Sequence, residues 1–218
     1  MPLRRDKPYI WTTWITKLLS GDNSCEWAAQ FKSFHESKSY SKASTGFDSA
    51  KWQIEHTDLL NRIRIDLKEE GQTIYTENQN YFNLHGKSAT LSGKPDLVTI
   101  NGNNGTIIDA KTGEESASHM IQLLIYMYAL PKALPQYGNV KFEGKIIYSN
   151  NEVFIPSDAV NNSFTEKLVG LIKRITSDNP ANKIPSSQEC KFCNITSADC
   201  PERIEEDTPP ISSSTDDF

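Results

Sequence analysis

The chain predicts a mixed α/β domain with a central sheet covered by helices, and three features of its patterning carry that prediction. Residues 50–70 repeat their apolar positions at helical spacing. Short β-rich runs occupy residues 73–111, and helix-like and strand-like stretches then alternate as far as residue 177. With 218 residues and 37% hydrophobic content, the chain is long enough to bury one sizeable core, so residues 1–201 are expected to form a single domain.

Taken in order, the N-terminal third reads as helical. A helix is expected around Trp11–Leu19 and another from about Ser24 to Glu36, followed by a polar Ser/Lys-rich linker over Ser37–Ser49. The helix from Ala50 to Glu70 places Ile54, Leu59, Leu60, Ile63 and Leu67 at spacings of three to five, which suits one buried face. After Gly71 the runs Thr73–Glu77, Tyr81–Leu84, Gly93–Ile100 and Thr106–Lys111 read as strands. Asn101-Gly-Asn-Asn-Gly105 separates the last two and supplies residues that tolerate the conformations of a hairpin turn. A helix over His119–Leu130 is expected to stop at Pro131. Strands at Lys141–Ser149 and Glu152–Ile155 follow, and a final helix over Asp158–Ser177 aligns Phe164, Leu168, Leu171, Ile172 and Ile175.

Charge and composition then limit the function. The net charge of −5 lacks the basic balance usual for nucleic-acid binding. From Glu202 onward, however, six acids stand against one base, so residues 1–201 are neutral overall. That Ser/Pro-rich terminus, 202–218, has too little apolar surface to order itself and reads as a disordered acidic tail. No run approaches the roughly 18 apolar residues of a membrane span, because Ile10–Leu19 is interrupted by threonines and Lys17. A cytoplasmic protein without a membrane partner is therefore expected, and in that reducing compartment the four cysteines read as metal ligands rather than disulfides.

The predicted hairpin carries the chemistry. Asp96 follows Gly93-Lys-Pro, and Asp109 stands in Ile107-Ile-Asp-Ala-Lys111. A symmetric five-residue turn would set Asp109 opposite Leu97, diagonal to Asp96. Two carboxylates so placed make a site for Mg2+ or Mn2+. Lys111, two residues beyond Asp109, shares its face and can support a developing charge. An isolated Asp-x-Lys is common on solvated surfaces, but an Asp flanked by Ile107 and Ile108 is costly to bury without a partner.

The order Gly-Lys-Pro-Asp96, Ile-Ile-Asp109-Ala-Lys111-Thr-Gly and Gln122-Leu-Leu-Ile-Tyr126 resembles the RecB-like branch of the PD-(D/E)XK nucleases, notably the CRISPR-associated exonucleases and the nuclease domain of AddB. The resemblance spans Trp11 to Pro201 and implies a restriction-endonuclease-like core. By it, Asp96 and Asp109 are metal ligands, Lys111 is the catalytic lysine, and Gln122 and Tyr126 lie beside the active site and contact DNA. It also implies a histidine ligand on the first core helix, for which His56 is the candidate and Glu55 the alternative. A backbone carbonyl near Ala110 is a further candidate ligand. Metal-assisted DNA hydrolysis would leave a 5′-phosphate and a 3′-hydroxyl, on single-stranded DNA or free ends, in CRISPR adaptation or repair and alongside proteins of those pathways. Lys94, Lys132, Lys141 and Lys145 are candidates to line a DNA groove. The same fold without catalysis, as a nucleic-acid-binding module, is the rival reading.

The cysteines form a second constellation. Cys190 and Cys193 make a Cys-x-x-Cys pair, Cys200 follows, and Cys25 stands near the start. This arrangement is similar to the four-iron four-sulfur centre of RecB-like nucleases that carry one. Residues 1–49 and 178–201 would then join in a metal-cluster subdomain. Structural zinc needs the same four thiolates, and spacing does not separate the two.

Overall fold

The computed structural model describes residues 1–205; most of the expected acidic tail, from 206 onward, lies outside the described residues. Among the described residues, eight strands form two sheets where one had been expected. The smaller contains β1 (Tyr9–Trp11), β3 (Phe82–His85) and β4 (Thr90–Gly93) in the order β1-β4-β3. In it β1 runs parallel to β4, and β3 antiparallel. The larger contains β2 (Ile74–Thr76), β5 (Leu97–Asn101), β6 (Asn104–Lys111), β7 (Lys141–Tyr148) and β8 (Glu152–Ile155), in the order β2-β5-β6-β7-β8. Only its β6–β7 pair is parallel. The mixed sheets flanked by helices match the predicted class.

The expected strand over Gly93–Ile100 is two strands in different sheets. Pro95 lies between them, and a proline contributes no N–H to a ladder, so the chain changes sheets at Lys94–Asp96. The expected N-terminal helix also divides: β1 leads into a 3-10 turn at Thr12–Trp14, and α1 covers only Thr16–Ser20. Ile10, Thr12 and Thr13 are β-branched, which favours strand over helix at the start of this segment.

Helix α2 (Glu26–Phe34) and helix α3 (Ser49–Glu69) fall close to their expected bounds. Asp48 caps α3 by accepting the Lys51 N–H at 3.0 Å. Leu59 and Ile63 are buried beneath α3, against Leu97, Ile108 and Ala110 on one face of the larger sheet. Ile54 is 64% exposed, because it lies one turn before the point where α3 reaches the sheet.

A short helix, α4 (Glu77–Asn80), links β2 to β3. Helix α5 (Ala117–Ala133) packs against both sheets and fills the core between them with Leu123, Ile125, Met127 and Leu130. It continues through Pro131, which had been expected to stop it. Pro131 falls in the last turn, and the Leu134 N–H still reaches Leu130 O at 3.0 Å, so the ring removes one bond without ending the helix early. Gly144 on β7 allows this close approach: a Cβ there would stand 3.1 Å from Met127 Sδ and 3.2 Å from Leu123 Cδ1.

Helix α6 (Asn162–Ile175) is shorter than its expected span. It follows a 3-10 turn at Ser157–Ala159 and is capped by Asn161, and it buries Phe164, Leu168, Leu171 and Ile175. Helix α7 (Ser187–Phe192), too short to show periodicity, carries Cys190.

Candidate active site and a cysteine-lined cavity

The site begins with the β5–β6 turn. Asn101 pairs with Asn104, which leaves only Gly102 and Asn103 in the loop instead of five residues. Gly102 takes φ 60° at the first central position, as a type II′ hairpin turn requires. This tighter turn moves the register by one. Leu97 lies opposite Ile108, and continuing the ladder places Asp96 directly across from Asp109 rather than diagonal to it.

Asp109 is 1% exposed. Its Oδ1 accepts a bond from Gln122 Nε2 at 3.2 Å. Its Oδ2 is buried without a hydrogen bond and meets the Lys111 ammonium as an ion pair at 2.5 Å. Burial pushes the Asp109 carboxyl up to about 6; the Lys111 charge opposes the rise and the Asp96 charge adds to it.

Asp96 is 8% exposed and its Oδ2 accepts the Ala110 N–H at 2.8 Å. The Ala110 amide thus fixes the orientation of this carboxylate. His56 Nε2 lies 3.4 Å from the same oxygen, and the bond to Asp96 raises the imidazole pKa against the effect of burial. His56, not Glu55, is the α3 residue that reaches the site: Glu55 pairs outward with Lys51 at 3.9 Å.

Gln122 joins the pieces. Besides its bond to Asp109, its Oε1 accepts from Lys111 Nζ at 3.1 Å and its Nε2 reaches Tyr126 Oη at 3.0 Å. Tyr126 is 2% exposed, packs edge-on to Phe82, and has its phenol pKa raised by burial. A direct contact with DNA, expected of Tyr126, is not available to a side chain so enclosed; its link to the site runs through Gln122. Gly93 accommodates the ring, since a Cβ there would meet Tyr126 Cε1 at 2.6 Å and Phe82 at 2.8 Å.

Two further neighbours were not singled out from the sequence. His119 Nδ1 lies 3.0 Å from Tyr148 Oη, and burial, followed by the Lys111 charge, pushes the imidazole down to about 4. Trp52 stacks on His56 with centroids 4.8 Å apart. The i, i+4 spacing of Trp52 and His56 on α3 is the signal that would have found that pair.

The four candidate groove lysines do not converge. Lys94 pairs with Glu77, Lys145 pairs with Glu152 at 2.7 Å, and Lys132 sits over the Tyr128 ring at 4.1 Å. Lys141 starts β7 opposite Asn104, at the end of the sheet away from Lys111, which pairs with Tyr148.

All four cysteines are free thiols and line one cavity of about 570 Å3. Lys17, Lys32 and Arg203 line it too. Glu189 holds the N-terminal segment to α7 by accepting the Ser24 N–H at 2.9 Å and the Cys25 N–H at 3.1 Å. Arg203 donates to Cys193 O at 2.7 Å and Ile195 O at 2.8 Å, and the Ile204 N–H lies 3.4 Å from Cys190 Sγ. Residues 202–205, the start of the expected tail, therefore pack against the cysteine segment. Burial raises the Cys200 thiol pKa and lowers that of the Lys32 ammonium.

Among the described residues, no three His, Cys, Asp or Glu side chains stand close enough together to hold a single metal ion as placed. At the carboxylates, the Lys111 ammonium occupies the space beside Asp109 Oδ2.

A profile of the PD-(D/E)XK nuclease superfamily matches residues 20–200. The chain belongs to this superfamily. Its match takes in the hairpin, α5 and all four cysteines. PD-(D/E)XK nucleases generally use divalent metals such as Mg2+, so a metal-dependent nuclease acting on nucleic acid is the coarse function that membership supplies. The solved structure titled "Crystal structure of SSO0001" is similar in fold, with a TM-score of 0.50 and 20% identity, covering 92% of this chain and 89% of that one. No curated protein matches the sequence. Among the described residues, no helix is long and apolar enough to cross a membrane.

Proposed function

We propose that the protein is a Mg2+- or Mn2+-dependent deoxyribonuclease whose site is built by Asp96, Asp109, Lys111, Gln122 and His56. The observation that carries this reading is the pairing of two buried carboxylates, Asp109 and Asp96, with the Lys111 ammonium against the first and His56 against the second. Two acids buried together are costly to keep charged in a folded protein, and a divalent cation between them would offset that cost.

Asp96 and Asp109 would hold the ion, with His56 able to turn its Nε2 from Asp96 toward it. A bound divalent ion supplies Lewis acidity toward a phosphate and the water that attacks it. Lys111, which donates to Gln122 Oε1 and pairs with Asp109 Oδ2, would supply a positive charge beside the phosphate on which charge grows. Gln122 keeps Asp109 and Lys111 in register, and buried Tyr126 fixes Gln122. Action on single-stranded DNA or free ends, in CRISPR adaptation or repair within the cytoplasm, with proteins of those pathways as partners, extends the RecB-like resemblance.

The cysteine cavity suits a four-iron four-sulfur cluster. Four thiols that line one cavity could hold such a cluster, as the RecB-like resemblance implies, and structural zinc would use the same four. The flanking cations Lys17, Lys32 and Arg203 would balance four thiolates.

The test is digestion of end-labelled single-stranded and duplex DNA in Mg2+ or Mn2+ by protein purified without oxygen. Cleavage by the wild type and none by Asp109→Ala is expected, with iron and acid-labile sulfide in the preparation. The second reading is a non-cleaving nucleic-acid-binding module of the same fold. Binding of DNA without cleavage in any divalent ion would establish it. A colourless protein that contains zinc would replace the cluster.

A further inference from the structure

Two large aromatic rings lie open to solvent beside the candidate active site. Trp52 is 42% exposed and Phe47 63% exposed, with their centroids 6.2 Å apart. Trp52 stacks on His56 at 4.8 Å with the ring planes within 24°, and His56 Nε2 stands 3.4 Å from Asp96 Oδ2. Trp52 stacked on His56, with the Phe47 ring tilted 53° against Trp52, therefore makes a run of rings from solvent to the buried carboxylates.

Single exposed apolar residues need no explanation. Two adjacent ones, aligned with a side chain that touches an active-site carboxylate, do. Asp48, between Phe47 and the first turn of α3, fixes this end of the helix by capping it, so the platform rests on a rigid element. Lys51, beside Trp52 in the chain, is largely exposed and pairs with Glu55 only loosely, at 3.9 Å.

What suits a half-exposed aromatic ring separated from the candidate site by one histidine is a nucleobase. Stacking is tolerant of base identity, but it requires an unpaired base, because in a duplex both faces are already covered. We infer that Trp52, with Phe47 beside it, is a stacking platform for an unpaired base of the strand entering the active site, and that it gives the enzyme its preference for single-stranded DNA. This rests on the nuclease reading proposed above.

The experiment is a cycle between the protein and the substrate. Affinity for a fluorescent single-stranded oligonucleotide is measured without divalent metal for wild type, Trp52→Ala and Trp52→Phe, on oligonucleotides that carry one abasic site at successive positions. Single-strand and duplex cleavage rates are then compared in Mg2+. Wild type should lose about 5- to 100-fold in affinity at one abasic position. Trp52→Ala should be equally weak on intact and abasic strands, while Trp52→Phe restores most of the difference.

If Trp52 merely props His56, Trp52→Ala will weaken cleavage while the abasic penalty stays as in wild type, and the platform is refuted. Equal single-strand and duplex rates in wild type overturn the claimed preference. A wild type that cleaves nothing sinks the nuclease reading instead, and the metal-free affinities still decide the stacking.

Discussion

Asp109 concentrates the energetics of the site in one carboxyl. Its folded pKa of about 6 lies above the ordinary 3.8, so the folded state prefers the protonated form. The stability this confers is complete below about pH 4 and is lost as the pH rises through 6. In metal-free protein Asp109→Asn, which is neutral and nearly isosteric, should therefore raise unfolding stability by about 1–3 kcal/mol at pH 8, with the gain disappearing by pH 4; urea titrations at the two pH values measure it. Loss of stability in the variant at pH 8 would contradict a strained carboxylate. A divalent ion acts in the opposite sense. Mg2+ should raise the melting temperature at pH 8 and lose that effect below about pH 6, as protons take Asp109 and His56, whose pKa is also raised. Thermal scans with and without Mg2+ across this range test it, and Asp109→Asn should abolish the shift.

The decisive elements are the β5–β6 hairpin and α5. The hairpin puts two acids opposite each other because its loop has two residues, and α5 carries Gln122 and Tyr126 to them on one face. Gly93, at the end of β4, lies against the Tyr126 ring of α5. Gly93→Ala inserts a methyl group 2.6 Å from the Tyr126 ring and 2.8 Å from Phe82, both buried. It should destabilise the fold by about 1–3 kcal/mol and, by shifting Tyr126 off Gln122, lower cleavage more than its loss of stability accounts for. Denaturant melts together with cleavage rates at a temperature where the variant stays folded separate the two effects. Unchanged stability would show that α5 can slide.

At the scale of the whole molecule, the two ends of the chain close on each other. Gln30 on α2 donates from Nε2 to Ser177 O at 2.9 Å and to Asn179 O at 2.8 Å, and its Oε1 accepts the Ala181 N–H at 2.8 Å. Glu26 pairs with Arg174 at 2.7 Å. Glu189 and the cysteine cavity complete the clasp around residues 24–43 and 178–205. Cys190→Ser should accordingly speed amide hydrogen exchange in those two segments while β5, β6 and β7 keep their protection. Exchange rising equally through the larger sheet would mean that the cavity supports the entire fold and not one clasp.

Long-period and composition-based features were legible in the chain itself. The apolar spacing of α3 and α6, the strands β7 and β8, and the approach of Asp96, Asp109 and Lys111 follow from local patterns, because helix faces and strand alternation are written at short range, whereas Gln122, Tyr126 and His56 entered through the family resemblance. The division into two sheets at Pro95, the one-residue change of register at Gly102, and the exposure of Ile54 were decided elsewhere. So were the burial of Tyr126 and the stacking of Trp52 on His56. Each depends on what lies across a gap of many residues: which strand a segment pairs with, or where a helix meets a sheet. The sequence by itself determined which groups this protein brings to its chemistry; tertiary packing alone decided which carboxylate is sealed from water against an ammonium, since burial is a property of neighbours and not of a residue.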